Sequence, residues 1–133
     1  MTLKTLASTA VLGLATSGLV ALPAFPAAAD DDRKVRTGSC SKQASYRMLL
    51  AEAGDDPDRL RTVFTIDSDK ANRKWTVRVF KGGNLVHKAT RWTNDRGNLR
   101  VAKRFRGDDD HRVTVVARAG YGETCRRAMR LDD

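Results

Sequence analysis

The chain has 133 residues and a formal net charge of +9, with 25 Lys and Arg against 16 Asp and Glu. A chain of this length supports one hydrophobic core and leaves little room for a second domain. Aromatic residues make up 6% of it, few for a nucleic-acid stacking platform, and it lacks the GxSxG, HExxH, phosphate-loop and dinucleotide motifs of common enzymes. We therefore expect no enzymatic activity, no cofactor and no nucleic-acid partner.

The first residues have the pattern of an export signal. Lys4 supplies a positive start, an uncharged apolar stretch runs over 6–22, and Ala27 to Ala29 precede a run of aspartates. A permanent membrane anchor is the alternative, but Gly and Pro residues interrupt the stretch, whereas a spanning helix needs about 20 strongly apolar residues. We predict a signal peptide at 1–29, a single domain at 30–133, secretion to the envelope or the extracellular space, and no integral membrane segment after cleavage.

The domain expected after cleavage is strongly basic and contains two cysteines. Removing Lys4 leaves 24 basic and 16 acidic residues, a net charge of +8. Cys40 and Cys125 lie near its two ends, and export would place them where thiols oxidise, so we predict a disulfide. Closing this 86-residue loop is worth about 4.6 kcal/mol in the loop-entropy model. Without a CxxC spacing, and with two scattered histidines, the cysteines do not suggest a metal site.

Short runs of alternating apolar and polar residues follow one another between Gly, Asp and Asn clusters, which is typical of half-buried strands. In the first run Tyr46, Met48 and Leu50 share one face, and Phe64 and Trp75 occupy core positions in the next two. Helix is an alternative for 45–53, because several of its residues tolerate helix. The predicted strands cover 44–51, 60–66, 75–80, 85–92, 99–105, 112–119 and 124–131, with a tight turn at 82–84.

About seven strands at this spacing predict an all-β fold, an immunoglobulin-like antiparallel β-sandwich with one disulfide. The antibody-type signature is absent, because Trp75 falls 35 positions after Cys40 instead of shortly after it. We expect the disulfide to tie the first strand region to the last.

Two loops have a composition that suggests metal binding. Residues 67–72 resemble the start of a calcium loop, but Ala71 and Arg78 occupy later ligand places and Asn72 replaces the required glycine. Turn-forming Asp and Asn in a hairpin explain the same residues, and we interpret 108–110 as a turn between strands as well. We therefore predict no metal site, and no catalytic role for either histidine.

Arginine recurs at alternate positions in two late runs, where it shares the outward face of a predicted strand. If both outward faces lie in one sheet, they form a basic surface able to bind phosphate-rich or carboxylate-rich polymers. The alternative is a solvated face that keeps the sheet soluble. The candidate residues are Arg100, Arg104, Arg106, Arg126 and Arg130.

Several short motifs together resemble a family. They are Gly38-Ser39-Cys40, an Asp67-Ser68 hairpin leading into Trp75, and Thr124-Cys125-Arg126. In these the chain resembles a family of small, uncharacterised secreted actinobacterial proteins with two cysteines. The resemblance implies export and a disulfide, and it brings no activity and no catalytic residues.

These observations favour a secreted, non-enzymatic interaction domain that contacts anionic polymers of the cell envelope through its arginines. One alternative is a small secreted inhibitor or hydrolase that uses the loop at 67–74 or at 108–111. Another is a structural envelope protein with a fixed extracellular protein partner.

Overall fold

A computed structural model of the protein describes residues 33–54 and 56–132, and these form eight strands and no helix. The helical alternative for 45–53 is therefore wrong, and no described segment could cross a membrane as an apolar helix. The predicted signal peptide at 1–29 lies outside the described residues. The strands are β1 Arg33–Ser39, β2 Ser45–Ala53, β3 Asp56–Asp67, β4 Lys74–Lys81, β5 Asn84–Trp92, β6 Asn98–Arg106, β7 Val113–Ala119 and β8 Thr124–Met129.

The strands form two antiparallel sheets of four, which confirms the predicted β-sandwich. The first sheet has the order β1-β2-β3-β6 and the second sheet the order β5-β4-β7-β8. In a constant-type immunoglobulin domain the second strand pairs with the fifth, whereas here β2 pairs with β3. The sandwich architecture is thus shared, and the strand order is this protein's own.

The strand that the sequence did not predict is β1, at the edge of the first sheet. Its sequence, Arg-Lys-Val-Arg-Thr-Gly-Ser, contains a single large apolar residue and no alternation, and its residues are exposed or half-buried. Its position depends on β2, with which it pairs from Arg33 opposite Ala51 to Ser39 opposite Ser45. Edge strands need no continuous apolar face, so periodicity alone does not detect them.

The core lies between the sheets and is filled from alternate strand positions. Tyr46 stacks on Phe64 with ring centroids 5.3 Å apart, and Trp75 is fully buried. Gly38 of β1 lies against the Tyr46 ring so closely that a Cβ there would come within 2.5 Å of Oη. The largest fully buried apolar side chains are Met48, Leu50, Leu60, Phe64, Ile66, Trp75, Val77, Val79, Val101, Val113 and Val115.

A disulfide joins Cys40, directly after β1, to Cys125 in β8, as predicted. It connects the two sheets, because β1 belongs to the first sheet and β8 to the second. Hydrogen bonds flank it: the Ser41 backbone N–H donates to the Thr124 carbonyl, and the Thr124 N–H donates to Ser41 Oγ, both at 2.9 Å. The loop between β1 and β2 is thereby attached to the turn between β7 and β8.

The buried side chain of Glu123, in the turn before β8, also binds the loop between β1 and β2. Glu123 is 1% exposed. Its Oε2 accepts the backbone N–H groups of Ala44 at 2.7 Å and Lys42 at 2.9 Å, and its Oε1 accepts the Tyr121 hydroxyl at 2.8 Å. Burial alone would raise the pKa of Glu123, but the hydrogen bonds from Ala44, Tyr121 and Lys42 outweigh it and lower the pKa. Burial, followed by the Glu123 hydrogen bond, raises the pKa of Tyr121 to about 12.

Removing the disulfide should destabilise the domain, because the disulfide closes a long loop between two cysteines that are 85 positions apart in the sequence. For Cys40→Ala combined with Cys125→Ala we expect a loss of about 2–5 kcal/mol in the free energy of unfolding, measured by urea denaturation. The untreated and reduced wild-type proteins provide the comparison. Equal unfolding midpoints for these two proteins would contradict the prediction.

Stability should depend on pH through Glu123. Because its pKa is lower in the folded protein, the charged carboxylate stabilises the fold above the unfolded pKa of about 4.3, and this contribution disappears as the pH falls through the folded value. Glu123→Gln should therefore cost roughly 1–3 kcal/mol at about pH 7 and less at about pH 3 in urea unfolding. Asp95→Asn, at an exposed loop position, is the control, and an equal cost of Glu123→Gln at both pH values would refute the assignment.

Candidate polyanion-binding face

The predicted arginines do not lie in one sheet. Arg100, Arg104 and Arg106 are exposed on the outer face of β6, in the first sheet. Arg126 is exposed on the outer face of β8, in the second sheet, and Arg130 follows one residue after the end of that strand. The arginines of β6 and those of β8 therefore do not form a single basic surface. Each sheet has its own set of outward arginines.

The outer face of the first sheet brings further arginines beside those of β6. In the strand register Arg59 lies opposite Arg106 and Arg61 opposite Arg104, so β3 and β6 place arginines side by side. Arg47 of β2 joins them by lying opposite Thr65, which itself lies opposite Arg100. We call this surface the arginine face; its members are Arg33, Arg47, Arg59, Arg61, Arg100, Arg104 and Arg106.

Four members of the arginine face were not predicted from the sequence. Three of them, Arg47, Arg59 and Arg61, are in or next to predicted strands, and the alternation there assigns them to the outward side. That signal is present in the sequence. The sequence does not show the order of the strands. Only the pairing of β3 with β6 puts the arginines of these two strands on one surface.

A row of small apolar residues crosses the middle of the arginine face, formed by Val35, Leu49, Val63 and Ala102. Leu49 faces outward and is nevertheless only 8% exposed. The rows on either side contain arginine, whose methylene stem packs along apolar surface while the guanidinium stays in water. The arginines of these rows are therefore placed to cover apolar surface as well as to supply charge.

The charges of this face are largely uncompensated within the described part of the chain. Of its seven arginines, Arg59 alone forms an ion pair there, with Asp56 at 3.6 Å and with both side chains half-exposed. Like charges directly opposite each other on neighbouring strands destabilise a sheet. The arrangement of Arg61 opposite Arg104 is thus unfavourable for the isolated domain, whereas Asp56 offsets part of the charge where Arg59 lies opposite Arg106.

Many of the acidic side chains lie in one group at one end of the sandwich. The Gly107 N–H donates to the Asp58 carbonyl at 2.8 Å, and the Asp132 N–H donates to the Asp109 carbonyl at 3.1 Å. These bonds bring the start of β3, the loop after β6 and the C-terminal segment together. This acidic end adjoins the part of the arginine face that contains Arg59 and Arg106, and Asp56 pairs with Arg59 there.

At the other end, the arginine face opens into a groove of about 900 Å³. Its walls come from β1, β2, β3, β6 and the loop between β5 and β6, where the Asn94 Oδ1 accepts the N–H groups of Arg96 and Asn98. Two cross-strand rows form much of its lining: Arg47, Thr65 and Arg100, and then Ser45, Asp67 and Asn98. The volume lies in the range of ligand sites.

Gly97 allows the loops at this groove to pack together. Its φ is +83°, and a Cβ there would lie 2.5 Å from the Lys70 nitrogen and 2.6 Å from the Asp69 nitrogen. Ser68, which is 1% exposed, donates to the Gly97 carbonyl through both its N–H and its hydroxyl, each at 2.9 Å. The loop before β6 is thereby held against the loop after β3.

The loop that resembled a calcium site is a crossover and not a hairpin, because β3 and β4 belong to different sheets. This corrects the hairpin interpretation. Asp69 and Asn72 both have a φ of +57°, a conformation that these residues tolerate, and Ser68 is used in the hydrogen bonds to Gly97. The polar residues of this loop thus have a structural explanation.

The second loop forms a turn after β6, as predicted, and contains Asp108, Asp110 and His111, with oxygen and nitrogen atoms within 4.8 Å of one another. His111 Nδ1 lies 2.7 Å from Asp108 Oδ1. The hydrogen bond between the two carboxyl groups lowers the pKa of Asp108 and raises that of Asp110. The other histidine, His87, lies on β5, and burial, with the charges of nearby Lys103 and Arg91, lowers its pKa.

The outer face of the second sheet is also basic, and more apolar. Its groove, of about 530 Å³, is lined by Arg78, Phe80, Arg118 and Arg126 among others. Arg78 and Arg126 lie in one cross-strand row and are separated by Val116, whereas Arg78 lies directly opposite Lys88 of β5, so this face also contains one pair of like charges. It therefore provides a comparison surface for tests of the arginine face.

Comparison with family models, with curated proteins and with solved structures finds no match to this chain.

Gly97→Ala should displace the loop at the groove. The positive φ would cost about 1 kcal/mol by itself, and the overlap with the Asp69 and Lys70 backbone adds to that cost. Gly83→Ala is a matched control, because Gly83 has a φ of +94° and open space around its Cβ position. We expect a larger loss in the free energy of unfolding for Gly97→Ala, and equal losses would contradict the assigned overlap.

Proposed function

We propose that the protein is a secreted, non-enzymatic domain that binds an anionic polymer of the cell envelope through its arginine face. The observation that carries this proposal is the cross-strand register that places Arg61 opposite Arg104, beside Arg59 opposite Arg106. An anionic ligand between such residues replaces a repulsion by two attractions. The guanidinium group is suited to this role, because its planar fork binds carboxylate and phosphate oxygens in pairs.

The dimensions of the face favour a polymer over a small ion. Arg100 and Arg106 lie six residues apart on β6, a span of roughly 20 Å at about 3.3 Å per residue. Arg47 extends the charge two strands further, across β3 and onto β2. A small anion contacts a minor part of this array, whereas a chain with repeated charges can contact most of it at once.

Two features agree with an extracellular site of action. The Cys40–Cys125 disulfide fits an oxidising compartment. The sequence pattern of 1–29 is that of an export signal, and the proposal includes its removal before the domain acts.

Binding should depend on the arginine face and on salt. The test variant carries both Arg104→Ala and Arg106→Ala. The control variant carries both Arg118→Ala and Arg126→Ala, which remove two exposed arginines from the second sheet. On immobilised polyphosphate and immobilised heparin, we expect the first variant to elute at lower salt than wild type and the control to elute close to wild type. The slope of log affinity against log salt should fall by roughly one for each lost contact to polyphosphate.

Equal retention of both variants would show that net charge, and not this face, causes binding. Absence of retention of the wild-type protein on either polymer at low salt would overturn the proposal.

A further inference from the structure

The groove of the arginine face combines two kinds of hydrogen-bonding group. One cross-strand row contains Arg47 and Arg100 on either side of Thr65, and the adjacent row contains Asp67 beside Asn98. The guanidinium groups can only donate hydrogen bonds, and an ionised Asp67 carboxylate can only accept them. A ligand that satisfies the groove needs an anionic group for one row and hydroxyl or amine donors for the other.

Asp67 is the informative residue, because it is exposed and lines a groove on a surface otherwise rich in arginine. A site that bound only repeated negative charge would be weakened by a carboxylate at this place, through like-charge repulsion. Asp67 also forms no ion pair with Arg47 or Arg100 within 4 Å among the described residues, so its charge is not already used there.

The spacing of the rows agrees with a ring that presents both kinds of group. Thr65 and Asp67 are two residues apart on β3, about 7 Å along the strand. Arg47 and Arg100 are on the strands at either side of β3, each about 4.8 Å from it. The Thr65 hydroxyl between them donates to the Arg47 carbonyl at 3.3 Å and keeps an oxygen lone pair for a ligand hydroxyl.

We propose that the groove holds one unit of an acidic polysaccharide, a sugar ring that bears an anionic group. The anionic group lies between Arg47 and Arg100, and the ring hydroxyls donate to Asp67, beside Asn98. This inference rests on the proposed function and specifies its ligand class. The polymer continues from the groove along β6, past Arg104 and Arg106.

The test uses Asp67→Ala, because recognition of charge alone and recognition of a sugar predict opposite changes in the affinity for an acidic sugar polymer. Removing a negative charge should strengthen binding to any polyanion if the groove senses only charge. If Asp67 accepts ring hydroxyls, its loss should weaken binding to an acidic sugar polymer by about tenfold or more, while affinity for polyphosphate stays the same or rises. Asp95→Ala removes an equal charge from the neighbouring exposed loop and is the matched control.

The probes are oligogalacturonate, dextran sulfate and polyphosphate, with neutral dextran as the blank, and dissociation constants are measured by titration calorimetry at one salt concentration. Selective weakening of oligogalacturonate binding assigns a carboxylated sugar, and selective weakening of dextran sulfate binding assigns a sulfated one. If Asp67→Ala lowers the melting temperature, Asp67→Asn, which keeps the size of the side chain, is used with the same expected selectivity.

Unchanged or stronger binding of all three polyanions by both Asp67 variants would overturn the sugar assignment and leave the proposed function intact. Failure of the wild-type protein to bind any of the three would overturn both.

Discussion

The period-two alternation of the strands is the constraint on which the rest of the structure depends. Each residue that packs into the space between the sheets sends its two chain neighbours to the outside. Leu60, Phe64 and Ile66 of β3 are essentially inaccessible to solvent, which requires Arg61, Val63 and Thr65 to face outward. The same alternation on β6, with Leu99 and Val101 inward, places Arg100 on that surface. The arginine face is therefore built by the packing of the core, which fixes the backbone positions from which its arginines project.

Packing of two sheets leaves their ends open, and this protein closes one end with covalent and polar links. Cys40 and Cys125 join strands of opposite sheets, and the buried Glu123 carboxylate accepts two backbone N–H groups from the loop that follows Cys40. A buried carboxylate is costly unless its oxygens are satisfied, and here both of them accept hydrogen bonds. The loops that form the groove lie at this same end, where Ser68 holds Gly97. Stability and site geometry thus share one set of contacts.

The sequence predicted the core of the fold well and the candidate site in part. Alternation located seven of the eight strands, and it assigned Tyr46, Met48 and Trp75 to the interior correctly. It did not detect β1, whose position depends on pairing with β2 and not on an apolar face of its own. It also could not supply the strand order, because period-two patterns show which residues face outward but not which strands are neighbours. For that reason the sequence alone suggests one surface for Arg126 and Arg100. In the structure the two residues lie in different sheets.

The distribution of charge follows from what each position can tolerate. The acidic residues of the group formed by the start of β3, the loop after β6 and the C-terminal segment stabilise turns through side-chain hydrogen bonds, as Asp56 does by accepting the Asp58 N–H at 2.9 Å. Arginine is favoured on the sheet, because its stem covers outward apolar residues such as Leu49. These two preferences explain separate acidic and basic regions without reference to a ligand. They do not explain arginines directly opposite each other on β3 and β6, where threonine or glutamate would cover the sheet with less repulsion. This unfavourable pairing is the physical reason for which we propose a binding role for the face.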